Sequence, residues 1–130
     1  MRYIGLVLVT SCLLLPDADS ARARTLLGTL ASAVQVADSQ CALIAQQTND
    51  MELATRCSAI YQAERSTLLA AATAVDEGRT MDAVCGALFV GAGLQAVADQ
   101  LNARGVRTPD MVTDALIALE AAKPLCSGAR

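Results

Sequence analysis

The chain of 130 residues contains no histidine and no tryptophan, and its aromatic side chains are two tyrosines and one phenylalanine. Without an imidazole, the usual general base of hydrolytic and nucleophilic catalysis is missing, and so is a common ligand of catalytic zinc. So few aromatic rings make no stacking platform for single-stranded nucleic acid. Positive charge is also in deficit: ten basic against thirteen acidic residues give a net charge of −3, with no Lys/Arg cluster, which argues against nucleic acid as a partner. A glycine-rich phosphate loop, an H-E-x-x-H pair and a G-x-S-x-G elbow are all absent. Carboxylates are the remaining candidates for chemistry. Asp76 and Glu77 stand in a turn-like stretch and are expected to be solvated. Glu64, four positions after Ile60 and seven after Cys57, lies near an apolar stripe and is expected to pair with a neighbouring arginine or reach water. Tyr61 and Phe89 are expected to pack in the core or at its rim. The sequence therefore predicts no enzyme, no cofactor and no bound metal.

What the chain does have begins at its N-terminus. Met1-Arg2 is a minimal positive segment, and Tyr3 to Leu15 is an almost uninterrupted apolar run, too short to span a bilayer and of the length of a signal-peptide core. Pro16-Asp17 breaks the run. Ala21-Arg22-Ala23 supplies small residues at alternate positions for signal peptidase, so residues 1–23 are assigned as a signal peptide and 24–130 as a single helical domain. The competing pattern is Val9-Thr10-Ser11-Cys12, which looks like a lipobox and would make Cys12 the acylated N-terminus of a lipoprotein. Loss of 1–23 removes two basic and two acidic residues, leaving eight against eleven.

Loss of the leader also leaves an even set of cysteines: Cys41, Cys57, Cys85 and Cys126. In a small exported chain this implies a disulfide framework, because the periplasm and the extracellular space allow such bonds to persist. No two of them have a close C-x-x-C spacing that would suggest metal.

Periodicity predicts an all-α domain. Leu27, Leu30, Val34, Ala37, Cys41 and Ile44 recur at steps of three and four, which places them on one face of a first helix. Thr48-Asn49-Asp50 is a turn and cap cluster. Leu53, Cys57, Ile60, Leu68, Ala71 and Val75 continue a second stripe as far as Asp76-Glu77-Gly78, whose glycine suits a helix end. The third segment, Thr80 to Arg104, opens on a candidate threonine cap but carries Gly86, Gly91 and Gly93, each worth about 1 kcal/mol against a helix interior. Helix is therefore expected from about Gly91 to Ala103, with irregular backbone between Gly86 and Gly93. The uncharged run Ala83 to Ala98 is too short for a membrane span and is expected to be core. For the fourth helix the signals are Thr108 as cap, Pro109 at the first helical position and Asp110 in the first turn, with Lys123-Pro124 as its end.

The cysteines fit two αα-hairpins. Cys41 and Cys57 lie equally far from Asn49, and Cys85 and Cys126 almost equally far from Gly105, so antiparallel pairing about those turns brings each pair to one height. The expected disulfides are Cys41–Cys57 and Cys85–Cys126, each closing one hairpin.

The layout also resembles a known family. The order Cys41, then Cys57 with Ile60-Tyr61, then Cys85, then Gln95-Ala96-Val97-Ala98-Asp99-Gln100-Leu101, then Met111-Val112-Thr113-Asp114-Ala115-Leu116, and finally Pro124-Leu125-Cys126, is similar to the Rap1a/Tai family of type VI secretion immunity proteins. The resemblance covers about Leu26 to Cys126. It departs from the family at Cys85-Gly86-Ala87, where Cys-x-Pro is usual, at Ile60-Tyr61, where the order is reversed, and at Leu125, which is inserted before the last cysteine. It implies a small periplasmic helical protein that binds a cell-wall amidase and blocks its cleft, often as a homodimer, with no catalysis of its own. It does not designate the partner-binding residues; the turns Asp76 to Thr80 and Arg104 to Asp110 are the candidate presenting elements. Two other classes fit the residues alone: an envelope lipoprotein anchored at Cys12, and a helical protein binding a small apolar ligand, with the glycine-rich segment as a flexible wall.

Overall fold

The computed structural model describes the backbone of residues 2–128 and the side-chain surroundings of residues 19–126. The side chains of the apolar leader run, Cys12 among them, lie outside the described residues. Five helical segments follow one another: α1 (Arg2–Thr48), α2 (Met51–Asp76), α3 (Thr80–Ala87), α4 (Val90–Ala103) and α5 (Asp110–Gly128). No strand occurs among the described residues. Because α3 and α4 are two halves of one path, the chain forms the four antiparallel helical passes expected from periodicity, as two successive αα-hairpins. Helix α1 is the common neighbour, in contact with each of the other four.

Local chemistry ends each pass. After Thr48, Asn49 takes φ 54°, and the amides of Asn49 and Asp50 return to the carbonyls of Gln46 and Ala45. This closes the helix with a Schellman motif, which satisfies carbonyls that would otherwise be orphaned. Asp50 then caps α2, its carboxylate accepting from the Leu53 amide at 3.0 Å. The same closure recurs at Gly78 (φ 80°) and Gly105 (φ 74°), where a side chain would be strained in the left-handed region.

The expected stripes are the core. On α1, Leu27, Leu30, Val34, Ala37 and Cys41 are buried, joined by Ala23, Ala33 and Ala45, while Ile44 is half-buried. On α2, Leu53, Cys57, Ala71 and Val75 are buried. They meet Val90, Leu94, Val97 and Leu101 of α4 and Val112, Ala115 and Leu119 of α5. Many of the inward positions are alanine, so the helices approach closely and the core is thin in large side chains. Length and composition would let the stretch Thr80–Ala103 cross a membrane. In this fold its apolar residues Ala83, Val84, Ala87, Val90 and Leu94 are instead buried against the other helices.

Several local expectations need correction. The glycine-rich stretch is almost wholly helical: Gly86 lies in α3 and Gly91 and Gly93 in α4. The irregularity is confined to Leu88 and Phe89, where the amides of Leu88, Phe89 and Gly91 bond three residues back instead of four, a 3₁₀-like tightening. Burial of Ala87, Val90 and Leu94 holds these turns helical in spite of glycine's poor propensity. Thr80 is not a cap but the first residue of α3, behind Arg79, which makes no side-chain cap bond. Thr108 does not cap α5 either, since its hydroxyl donates to the side-chain oxygen of Asn102. Pro109 sits at the cap position itself, its carbonyl accepting from Val112 and Thr113. Lys123-Pro124 does not stop α5, which runs through Pro124 to Gly128. Pro124 removes one backbone bond on an exposed side, while the disulfide from Cys126 to Cys85 holds the turn beyond it against α3. Helix α1 itself runs on across Pro16-Asp17.

Candidate binding surfaces

Both expected disulfides are present. Cys41 is joined to Cys57 and Cys85 to Cys126, with Cα atoms 6.4 and 5.6 Å apart. The first ties α1 to α2 and the second ties α3 to the last turns of α5, one in each hairpin. Bonds of this kind persist in an oxidising compartment, which fits an exported protein.

Glu64 departs most from its expected role. It is 5% exposed, at the middle of the α2 core face, and pairs with no arginine. One carboxyl oxygen, Oε2, has no hydrogen-bond partner. The side chain lies against Gly93 of α4, the one position on that helix where a bare Cα leaves room for it. Burial pushes the Glu64 carboxyl up to about 7, and the neighbouring charge of Asp38 on α1 adds to the shift. Asp38 is itself raised by partial burial. Near neutrality this pair cannot readily carry two charges. The sequence signal was present in the spacing from Cys57 and Ile60, but an acid at a stripe position reads as a boundary residue until the opposite helix is seen to cover it.

Asp76 and Glu77 are solvent-exposed, as expected, and they belong to a charged cluster at the α2–α3 turn. Arg24 of α1 donates to Asp76 at 3.0 Å, and Arg79 pairs with both Glu77 and Asp82. The other candidate presenting turn, Arg104 to Asp110, sits at the opposite end of the bundle. There Arg104 donates to Asp50 at 3.1 Å and to the carbonyl of Gln100, bracing the α4–α5 turn against the α1–α2 turn. The Leu53 amide first, and the Arg104 bond next, hold the Asp50 carboxyl below its ordinary value.

The two aromatic side chains after the leader part company. Tyr61 is half-buried at the edge of a cleft between α1 and α2. Phe89 is not packed at all: it is 78% exposed, standing on the α3–α4 break. Around it lie Ser66, Thr67 and Ala70 of α2, Gly86, and the charged pair Arg79 and Asp82. A large apolar ring left in solvent, on small neighbours and rimmed by charge, is a candidate contact surface. The break puts it there, because the tightened turn rotates residue 89 away from the buried face that Ala87 and Val90 occupy.

No group of three or more Cys, Asp or Glu side chains converges as a metal site among the described residues. Comparison with models of protein families, with curated proteins and with solved structures finds no match.

Proposed function

We propose that this is a periplasmic immunity-type protein that binds a cell-wall-degrading amidase and occludes it, without catalysis of its own. Exposed Phe89, beside the charged α2–α3 turn, is the observation that carries this reading. Burying an aromatic anchor of that size in a partner's cleft supplies much of the affinity of a standard interface, and the surrounding Arg79 and Asp82 suit a polar rim. Two disulfides that brace both hairpins support it as well, since a preformed surface loses less entropy on binding. So does the resemblance of the cysteine and helix layout to the Rap1a/Tai family. Of the two turns that the sequence offers as presenting elements, Asp76 to Thr80 is favoured because Arg79 lines the same patch as Phe89.

The test is inhibition of purified peptidoglycan amidases of the source bacterium and its neighbours, measured by turbidity loss of purified cell walls. The wild-type protein is expected to block hydrolysis at equimolar ratio. Phe89→Ser is expected to relieve the block by at least about tenfold in affinity, the scale of a hot-spot residue, with its circular dichroism unchanged. Full inhibition by that variant would remove Phe89 from the interface, and no inhibition by the wild type would overturn the reading.

A further inference from the structure

The cleft between α1 and α2 lies on a different face of α2 from Phe89 and is left unused by the occlusion reading. It has a volume of about 390 Å³ and apolar walls that include Leu27, Val34 and Leu68. Leu69, 61% exposed, extends the wall into solvent. The lining runs from residue 27 to 35 on α1 and from 61 to 72 on α2, a length of about 12 to 16 Å at the helical rise.

Two independent features suit it to a ligand. Gly28 stands in the cleft in the interior of α1, where glycine is worth about 1 kcal/mol less than alanine. A Cβ there would meet nothing within 4 Å, so the chain's own packing does not require the missing side chain. The second feature is polar. In the antiparallel pairing of α1 with α2, Gln35, Tyr61 and Arg65 gather at one end of the cleft, and the wall beyond them is apolar. Arg24, Arg56, Arg79, Arg104, Arg107 and Lys123 each pair with a carboxylate. Arg65 is the one described cation of residues 24–130 that does not.

We infer that this cleft binds a single-chain fatty carboxylate, its head group on Arg65 with Tyr61 and Gln35 beside it, and its chain laid over Gly28 between the leucines. A carboxylate at Arg65 makes a charge-assisted, bidentate contact, while the tail needs only the apolar walls. An extended peptide would strand its backbone N–H and C=O groups along those walls. The site is on α1 and α2, not on the glycine-rich segment of α3 and α4, and it stands whether or not an amidase is the protein partner.

The experiment is calorimetric titration of the full mature protein with laurate, below its micelle concentration, and with dodecanol as the uncharged match. Saturable one-to-one binding of laurate is expected. Arg65→Gln is expected to weaken laurate by about tenfold or more while leaving dodecanol within about threefold, the difference a lost charge-assisted bond makes. Gly28→Leu is expected to abolish binding of both ligands with an unchanged or higher thermal midpoint, since it fills the cleft and raises helix propensity. Absence of saturable laurate binding by the wild type overturns the inference. So does equal binding by Gly28→Leu, or loss of amidase inhibition in that variant with no laurate effect, which would make the cleft a protein interface.

Discussion

A Cβ built on Gly93 would stand 2.7 Å from Oε2 of Glu64, 2.9 Å from its carboxyl carbon and 3.0 Å from its Cγ. Residue 93 of α4 and residue 64 of α2 therefore occupy one space, and the glycine is the condition for burying the acid. Elsewhere in a helix interior alanine would be preferred by about 1 kcal/mol. Here Gly93→Ala is expected to destabilise the protein by about 1 to 3 kcal/mol, the range of overpacked cores, because the new Cβ meets Oε2, Cδ and Cγ of Glu64 at 2.7 to 3.0 Å and the side chain must shift to admit it. Urea denaturation measures it. In the Glu64→Ala background the same change is expected to be neutral or stabilising, and a fully additive double mutant would show that the two positions do not compete.

Glu64 also makes stability depend on pH in the sense opposite to an ordinary salt-bridged acid. Its folded pKa is raised from 4.5 to about 7, by burial first and by Asp38 second. Between those values the folded chain holds more protons than the unfolded one, so unfolding free energy falls as pH rises. The contribution is complete below about pH 4.5 and is lost by about pH 7, and it amounts to about 1 to 3 kcal/mol. Raised Asp38 acts in the same sense, while lowered Asp50 acts oppositely, its contribution being lost only as pH falls below the ordinary carboxylate range. The urea midpoint is thus expected to be higher at pH 5 than at pH 8. Glu64→Gln should flatten that difference and stabilise the protein at pH 8; an unchanged pH profile in this variant would assign the dependence to other groups.

Removal of the disulfides should separate two kinds of damage. The chain-entropy model assigns about 3 kcal/mol to the loop of 16 residues and about 4 kcal/mol to that of 41. Cys41→Ser with Cys57→Ser is expected to lower the thermal midpoint with exchange raised evenly over α1 and α2. Cys85→Ser with Cys126→Ser should in addition fray α5 from Pro124 onward, since the bond to α3 is what carries the helix past a proline. Hydrogen exchange of the α5 amides reads this directly, and equal protection there in both double variants would contradict it.

Export should leave a chain that begins at or near Arg24. Arg24 is the residue of α1 that reaches Asp76 across the α2–α3 turn, so a start at this position keeps the ion pair and sacrifices only buried Ala23 from the described core. N-terminal sequencing of the protein from the periplasmic fraction checks the cut. A mass carrying a diacylglyceryl group on Cys12 would establish the lipoprotein instead.

Much of this molecule was legible in the chain because the determining forces are local or nearly so. Helix periodicity, the left-handed residues Asn49, Gly78 and Gly105, and the Asp50 cap all act within a turn or two of backbone, and they mark the ends of the passes. Once Asn49 and Gly105 are centres of hairpins, the heights of Cys41 and Cys57, and of Cys85 and Cys126, follow from the antiparallel arrangement. What only the tertiary structure decided are the places where a second helix overrides a local preference. Glu64 is buried because Gly93 of another helix leaves room for it. The glycine-rich stretch stays helical because its alternate face is covered, and α5 passes Pro124 because Cys126 is held by α3. Phe89 is exposed because a two-residue tightening turns it outward, and Arg65 faces an apolar cleft because α1 lies beside it. Spacing along one helix reports which residues share a face; whether that face is met, and by what, depends on distances between segments that local sequence does not encode.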